Sequence, residues 1–214
     1  MTHNTIWPWV AFVLLGVYHG LNPGMGWLFA VALGMQERSR TALYSALIPI
    51  AIGHLLSVGI VVLAGALLNQ LLPMNYVKWI VAAALIGFGF FCLIRSRHPR
   101  WVGMRVGFLD LSAWSFLMAS AHGSGFMLLP VLLTMPAAGH SHAQHVAHLM
   151  PAGSSAEYAG AVAIHTLAYF ATTAAVGLLV YEKFGLALLR SAWVNLDLIW
   201  SLALILTGMV AVLV

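Results

Sequence analysis

The sequence predicts an all-α membrane protein: six transmembrane helices as two inverted three-helix repeats, with both termini outside. Three observations predict it. Of 214 residues, 62% are hydrophobic and 7% charged, against about 25% charged in soluble domains. Mean hydropathy is +0.97. Six apolar runs occur, each near the ~20 residues that a helix needs to cross a bilayer. A histidine recurs at matching places in the first and fourth runs, and again in the second and fifth. With 9 Lys plus Arg and 5 Asp plus Glu, the chain cannot cover a soluble core. This excludes a soluble enzyme, a disordered chain and a secreted disulfide module. Cys92 is the single cysteine, so no intrachain disulfide forms.

The runs cover residues 7–35, 43–68, 76–94, 109–133, 156–180 and 192–214. The first opens without a preceding Lys or Arg and shows no small-residue cleavage site, so no cleavable signal peptide is expected. Gln36–Arg40 ends it. Leu72–Asn75 separates the second from the third, and Arg95–Arg100 ends the third. The polar stretch 136–155 separates the fourth from the fifth. Tyr181–Gly185 follows the fifth. Trp7, Trp9, Trp79, Trp101, Trp114 and Trp193 lie near run ends, where indoles anchor to the interface.

Charge sets the orientation. Arg38, Arg40, Arg95, Arg97, Arg100, Arg105, Lys183 and Arg190 fall on one side, and only Lys78 on the other. The basic side is cytoplasmic by the positive-inside rule, which leaves the termini and the loop 136–155 outside. The net charge of +4 and pI near 9.6 are thus loop charge, and no nucleic-acid partner is expected. The expected location is the inner (plasma) membrane of a bacterium.

The first run carries His19-Gly20 and the fourth His122-Gly123, an offset of 103 residues. The second carries His54 and the fifth His165, an offset of 111. The repeats are therefore 1–105 and 106–214. Three spans per repeat is an odd number, so the repeats have opposite topology, with a binding site expected where they meet. Asn22-Pro23-Gly24 interrupts the first run, because Pro23 removes a helical N–H and disfavours helix at Asn22. The carbonyls it frees need partners that lipid cannot supply. Gly123 and Gly125 mark the matching place. Ionisable groups inside spans face the protein interior. The candidate ion site is accordingly His19, Asn22, Met25, His54, His122, His165 and Asp197. His140, His142, His145 and His148 form a second candidate metal-binding group in the external loop. The alternative reading of the four span histidines is that they are plain interhelical hydrogen-bonding groups.

The pattern around His19 and His54 resembles that of nickel/cobalt transporter and urease/hydrogenase-accessory membrane proteins, within the lysine-exporter-like superfamily. That family's first span reads His-Ala-x-Asp-x-Asp-His, and its second carries Gly-His-Ser. Here His19-Gly20-Leu21-Asn22-Pro23-Gly24-Met25 and Gly53-His54-Leu55 stand in those places. Asn22, Gly24 and Met25 replace two acids and a histidine. The resemblance implies six spans from a three-span duplication and a metal cargo, but the lost carboxylates prevent nickel/cobalt specificity from being carried over.

The expected function is a transporter or permease for a small solute, foremost a transition-metal ion (Ni, Co, Cu or Zn), working by alternating access between the two repeats. The alternatives are a membrane-embedded metalloenzyme using the span histidines and an accessory subunit of a larger membrane complex. No H-E-x-x-H or G-x-S-x-G motif supports an enzyme. The expected partners are the lipid bilayer and the small solute or metal ion. The Gly-rich spans also permit a homo-oligomer.

Overall fold

The computed structural model describes residues 6–72, 74–94, 107–133, 135, 155–184 and 196–213. Every regular element among them is helical. In chain order these are α1 (Trp7–Leu21), a 3-10 turn (Pro23–Met25), α2 (Trp27–Gln36), α3 (Arg40–Leu71) and α4 (Met74–Ile94). Then follow α5 (Phe108–Ala121), α6 (Ser124–Leu133), α7 (Ser155–Leu179) with a π-helical turn (Val180–Phe184), and α8 (Leu196–Leu213).

By length and composition, Arg40–Leu68 and Ala156–Lys183 can each cross a membrane. Phe108–Ala121 and Ser124–Leu133 make a third span if the pair, bent by 52°, is counted as one. Trp7–Leu21, Trp27–Gln36, Tyr76–Phe91 and Ser201–Ala211 are apolar but shorter. The first expected run is thus two helices, and so is the fourth. The backbone breaks at the sites that the Asn-Pro-Gly and Gly-x-Gly sequences mark.

Local chemistry explains the element ends. Pro8 sits in the first turn of α1, where its missing N–H costs nothing. Ser39 caps α3 by accepting from the Ala42 amide at 3.4 Å. The Asp110 carboxylate accepts from the Gly107 amide at 2.9 Å and holds the start of α5. Arg38, at φ 48°, turns the chain from α2 into α3.

The long helix α3 shows how the fold is partitioned. Its apolar residues Leu56, Ile60 and Leu63 are 52%, 55% and 60% exposed, while His54 and Ser57 are buried. A soluble helix does the reverse. Apolar outside and polar inside is the arrangement that a hydrocarbon solvent selects.

The most extensive helix contacts are α4 with α8, α1 with α7, and α3 with α5. Each pair joins one expected repeat to the other. Exchanging the repeats maps the α1–α7 contact onto α3–α5 and α4–α8 onto itself. Glycines allow the close approach. A Cβ on Gly16 of α1 would fall on the His165 carbonyl oxygen of α7, and one on Gly53 of α3 would fall on the Ser112 carbonyl oxygen of α5.

Candidate functional site

The site is built around the break between α1 and α2. Leu21 ends α1, and Asn22 follows in an extended conformation, φ −71° and ψ 119°. The Gly24 amide donates to Asn22 Oδ1 at 2.9 Å, so the asparagine caps the 3-10 turn. Gly26, at φ 132°, restarts the helix in a conformation that a side chain rarely adopts. Side chains satisfy two carbonyls at the break. The Trp27 indole donates to Leu21 O at 3.1 Å, and the Tyr169 hydroxyl of α7 donates to Met25 O at 2.5 Å. Broken backbone inside a membrane protein persists only with such partners.

Three imidazoles gather beside this break. His19 comes from α1, His54 from α3 and His165 from α7, and each is 0% exposed. Ring centroids are 5.1 Å apart for His19 and His165, 5.4 Å for His54 and His165, and 5.8 Å for His19 and His54. His54 and His165 meet through their Nε2 atoms at 3.2 Å. Tyr169 lies flat on His54, with centroids 3.7 Å apart and planes 11° from parallel. One tyrosine therefore links the α1–α2 break to the histidine cluster.

Carbonyl partners fix the neutral tautomers. His19 Nδ1 faces Leu15 O at 2.7 Å, and His165 Nδ1 faces Phe12 O at 3.3 Å. A carbonyl only accepts, so both Nδ1 atoms carry the proton and both Nε2 atoms carry the lone pair. His54 Nε2 must then donate to His165 Nε2. His54 Nδ1 is left buried with its lone pair and no hydrogen-bond partner among the described residues. His122 repeats the His19 geometry in the other half, with Nδ1 donating to Met118 O, four residues back, at 2.7 Å. It closes α5 just before Gly123, at φ 66°, and is 7% exposed. It lies within electrostatic range of His19.

Among the described residues the donor set is neutral. Glu37, Asp110 and Glu182 are exposed, and Glu157 sits in the first turn of α7. Hard cations such as calcium take carboxylate and carbonyl oxygens, whereas imidazole suits Zn, Cu and Ni. Among the described residues, no three His, Cys, Asp or Glu side chains are already disposed as a metal-ligand set. The His54–His165 hydrogen bond is one physical reason, since it uses one nitrogen of each ring.

The expected site residues are thus brought together unevenly. His19, His54 and His165 are in mutual contact. Asn22 shapes the break and Met25 reaches the group through its carbonyl. Asp197 lies in the first turn of α8, its side chain outside the described residues. His140, His142, His145 and His148 lie outside them altogether. Tyr169 was not foreseen. Its signal was present: it stands four residues after His165 on one helix, hence on the same face. The Ser57–Ser120 hydroxyl pair, at 2.9 Å, and Ser115, donating to Ile50 O at 2.6 Å, were also missed. They flank His54 along the α3–α5 contact.

Apolar helices around a buried polar cluster define an integral membrane protein. Residues 25–100 match the family model described as divalent cation/proton antiporter GDT1. The match spans roughly a third of the chain, from the α1–α2 break through α3 and α4, and includes His54. It supports membrane cation transport and does not confirm the nickel/cobalt resemblance of the sequence motifs. No curated protein and no solved structure matches the chain.

Proposed function

We propose that this protein is a secondary transporter that carries a transition-metal cation across the membrane in exchange for protons. The observation that carries the reading is the convergence of His19, His54 and His165, from both halves of the chain, on one buried place beside a broken helix. The partial match to a cation/proton antiporter family supports transport and the proton. The neutral imidazole set favours Ni, Co, Cu or Zn over calcium. His122, Asn22 and Met25 line the same region in this reading, and Asp197 serves the pathway.

The architecture proposed is six spans in two inverted repeats, residues 1–105 and 106–214. The exchange pattern of the helix pairs and the matching His19 and His122 carbonyl bonds support it. Both termini face outward, and the loop histidines His140, His142, His145 and His148 gather metal there. Rocking of one repeat on the other opens the site to each side in turn. Cargo bound by these two imidazoles would have to replace the His54–His165 hydrogen bond.

Proteoliposomes holding a metal-sensitive dye test this. Under a pH gradient, the protein should carry at least one of Ni, Co, Cu or Zn faster than calcium, with proton counterflow. His54→Ala and His165→Ala should abolish that flux. Equal flux in wild-type and both variants would overturn the assignment. A tightly held stoichiometric metal that survives chelation, with no flux, would favour a membrane metalloenzyme instead.

A further inference from the structure

A second site stands apart from the histidine cluster. The turn from α2 into α3 meets the π-helical end of α7 around an open cleft of about 630 Å³. Met35, Arg38, Arg40, Tyr181, Glu182 and Lys183 line it. Arg40 bonds Glu182 at 2.9 Å and ties the two elements together. That pair is neutral, which leaves Arg38 and Lys183 as the cleft's uncompensated cations among the described residues. Both are exposed, and neither forms an ion pair among the described residues. Glu37, the remaining acid nearby, does not line the cleft.

The geometry points to a binding site for the phosphate of an anionic phospholipid. The cleft lies at the Arg40 end of the candidate span Arg40–Leu68 and the Lys183 end of the candidate span Ala156–Lys183, the ends that a bilayer's headgroups would meet. Basic pockets between membrane helices take such headgroups, and a tyrosine at that level is an interfacial anchor. Arg38 and the Arg40 guanidinium offer forked donors to phosphate oxygens, and Lys183 adds a point charge. Arg38 is held in the left-handed region, at φ 48°, where a non-glycine residue is uncommon. Its backbone is therefore fixed by the turn, so its side chain starts from a defined place. Headgroup binding would brace the α2–α3 corner against α7, across the two halves of the chain.

The test uses the full chain in nanodiscs of neutral phosphatidylcholine, with or without phosphatidylglycerol. The variant is Arg38→Asn with Lys183→Gln, since asparagine tolerates left-handed backbone. A basic residue at the membrane surface contributes about fivefold in affinity for anionic lipid, so removing two should weaken binding roughly 30-fold. Phosphatidylglycerol should raise the unfolding midpoint of the wild-type and not of the variant. Inorganic phosphate added to neutral discs should leave both unchanged. An equal rise in wild-type and variant, or no rise in either, would overturn the site. A rise with inorganic phosphate alone, lost in the variant, would overturn the lipid source. If the double variant does not fold, each single variant is read by native mass spectrometry. Retention of phosphatidylglycerol equal to wild-type in both would also overturn it.

Discussion

Replacing Gly53 by alanine probes the contact that carries His54 into the site. The added methyl would fall on the Ser112 carbonyl oxygen and lie 2.8 Å from the Phe116 amide nitrogen. Both atoms are backbone of α5, so neither can rotate away, and relief requires α3 and α5 to separate. Overpacking costs about 1–3 kcal/mol, and backbone against backbone belongs at the upper end. Alanine's better helix propensity offsets about 1 kcal/mol. The net loss is then about 2 kcal/mol. Gly59 on the same helix is the control, because a Cβ there meets nothing within 4 Å. Gly59→Ala should keep only the propensity gain. Thermal unfolding in detergent, followed by circular dichroism, separates the two. At about 2–4 °C per kcal/mol for a chain of this length, Gly53→Ala should melt roughly 4–8 °C below wild-type. Gly59→Ala should melt at or above wild-type. Equal midpoints for the two variants would refute the close α3–α5 approach and, with it, the placement of His54.

Three other outcomes follow from the same geometry. Tyr169→Phe keeps the ring on His54 and loses the donor to Met25 O. Interhelical hydrogen bonds in membranes average about 0.6 kcal/mol and reach about 1.7, so a midpoint drop within that range is expected, and none at all would show that the hydroxyl does not hold the break. Gly26→Ala should destabilise more, by about 1–3 kcal/mol from backbone strain alone, since φ is 132° and the new methyl would meet Ile50; denaturant unfolding that matches wild-type would contradict the turn. Replacing His140, His142, His145 and His148 by serine should leave a metal-induced thermal shift in place, because binding is assigned to the spans; its disappearance would move the binding to the loop.

Much of the architecture could be read from the sequence because hydrocarbon solvent imposes a simple rule. The apolar runs became helices, and the Asn22-Pro23-Gly24 break fell where proline removes a donor. The four span histidines were expected to converge, from their paired offsets and the inward preference of ionisable groups, and ring contacts join three of them, His19, His54 and His165. Tyr169 escaped because a tyrosine in an apolar span reads as packing until its hydroxyl finds a carbonyl. That carbonyl, Met25 O, is 144 positions away in the chain. The lengths of the spans were less legible. Residues 7–35 read as one run, yet the backbone divides into helices of 15 and 10 residues. Met25 was expected as an ion-site residue, and the contact that the fold shows for it, with the Tyr169 hydroxyl, is made by its carbonyl. Backbone groups carry no signature in a sequence of side chains, which is why Phe12 O, Leu15 O and Ile50 O, all partners of the polar cluster, could not be anticipated.

The central claim is that imidazoles of both halves take the cargo. X-ray absorption at the edge of whichever of Ni, Co, Cu or Zn the protein carries fastest tests it most directly, on protein loaded with that metal and with its four loop histidines replaced by serine. The account predicts a scattering pattern with at least two imidazole rings on the metal, lost when His54 and His165 are both changed to alanine. A shell of oxygen atoms without imidazole, or a spectrum indifferent to those two substitutions, would contradict it.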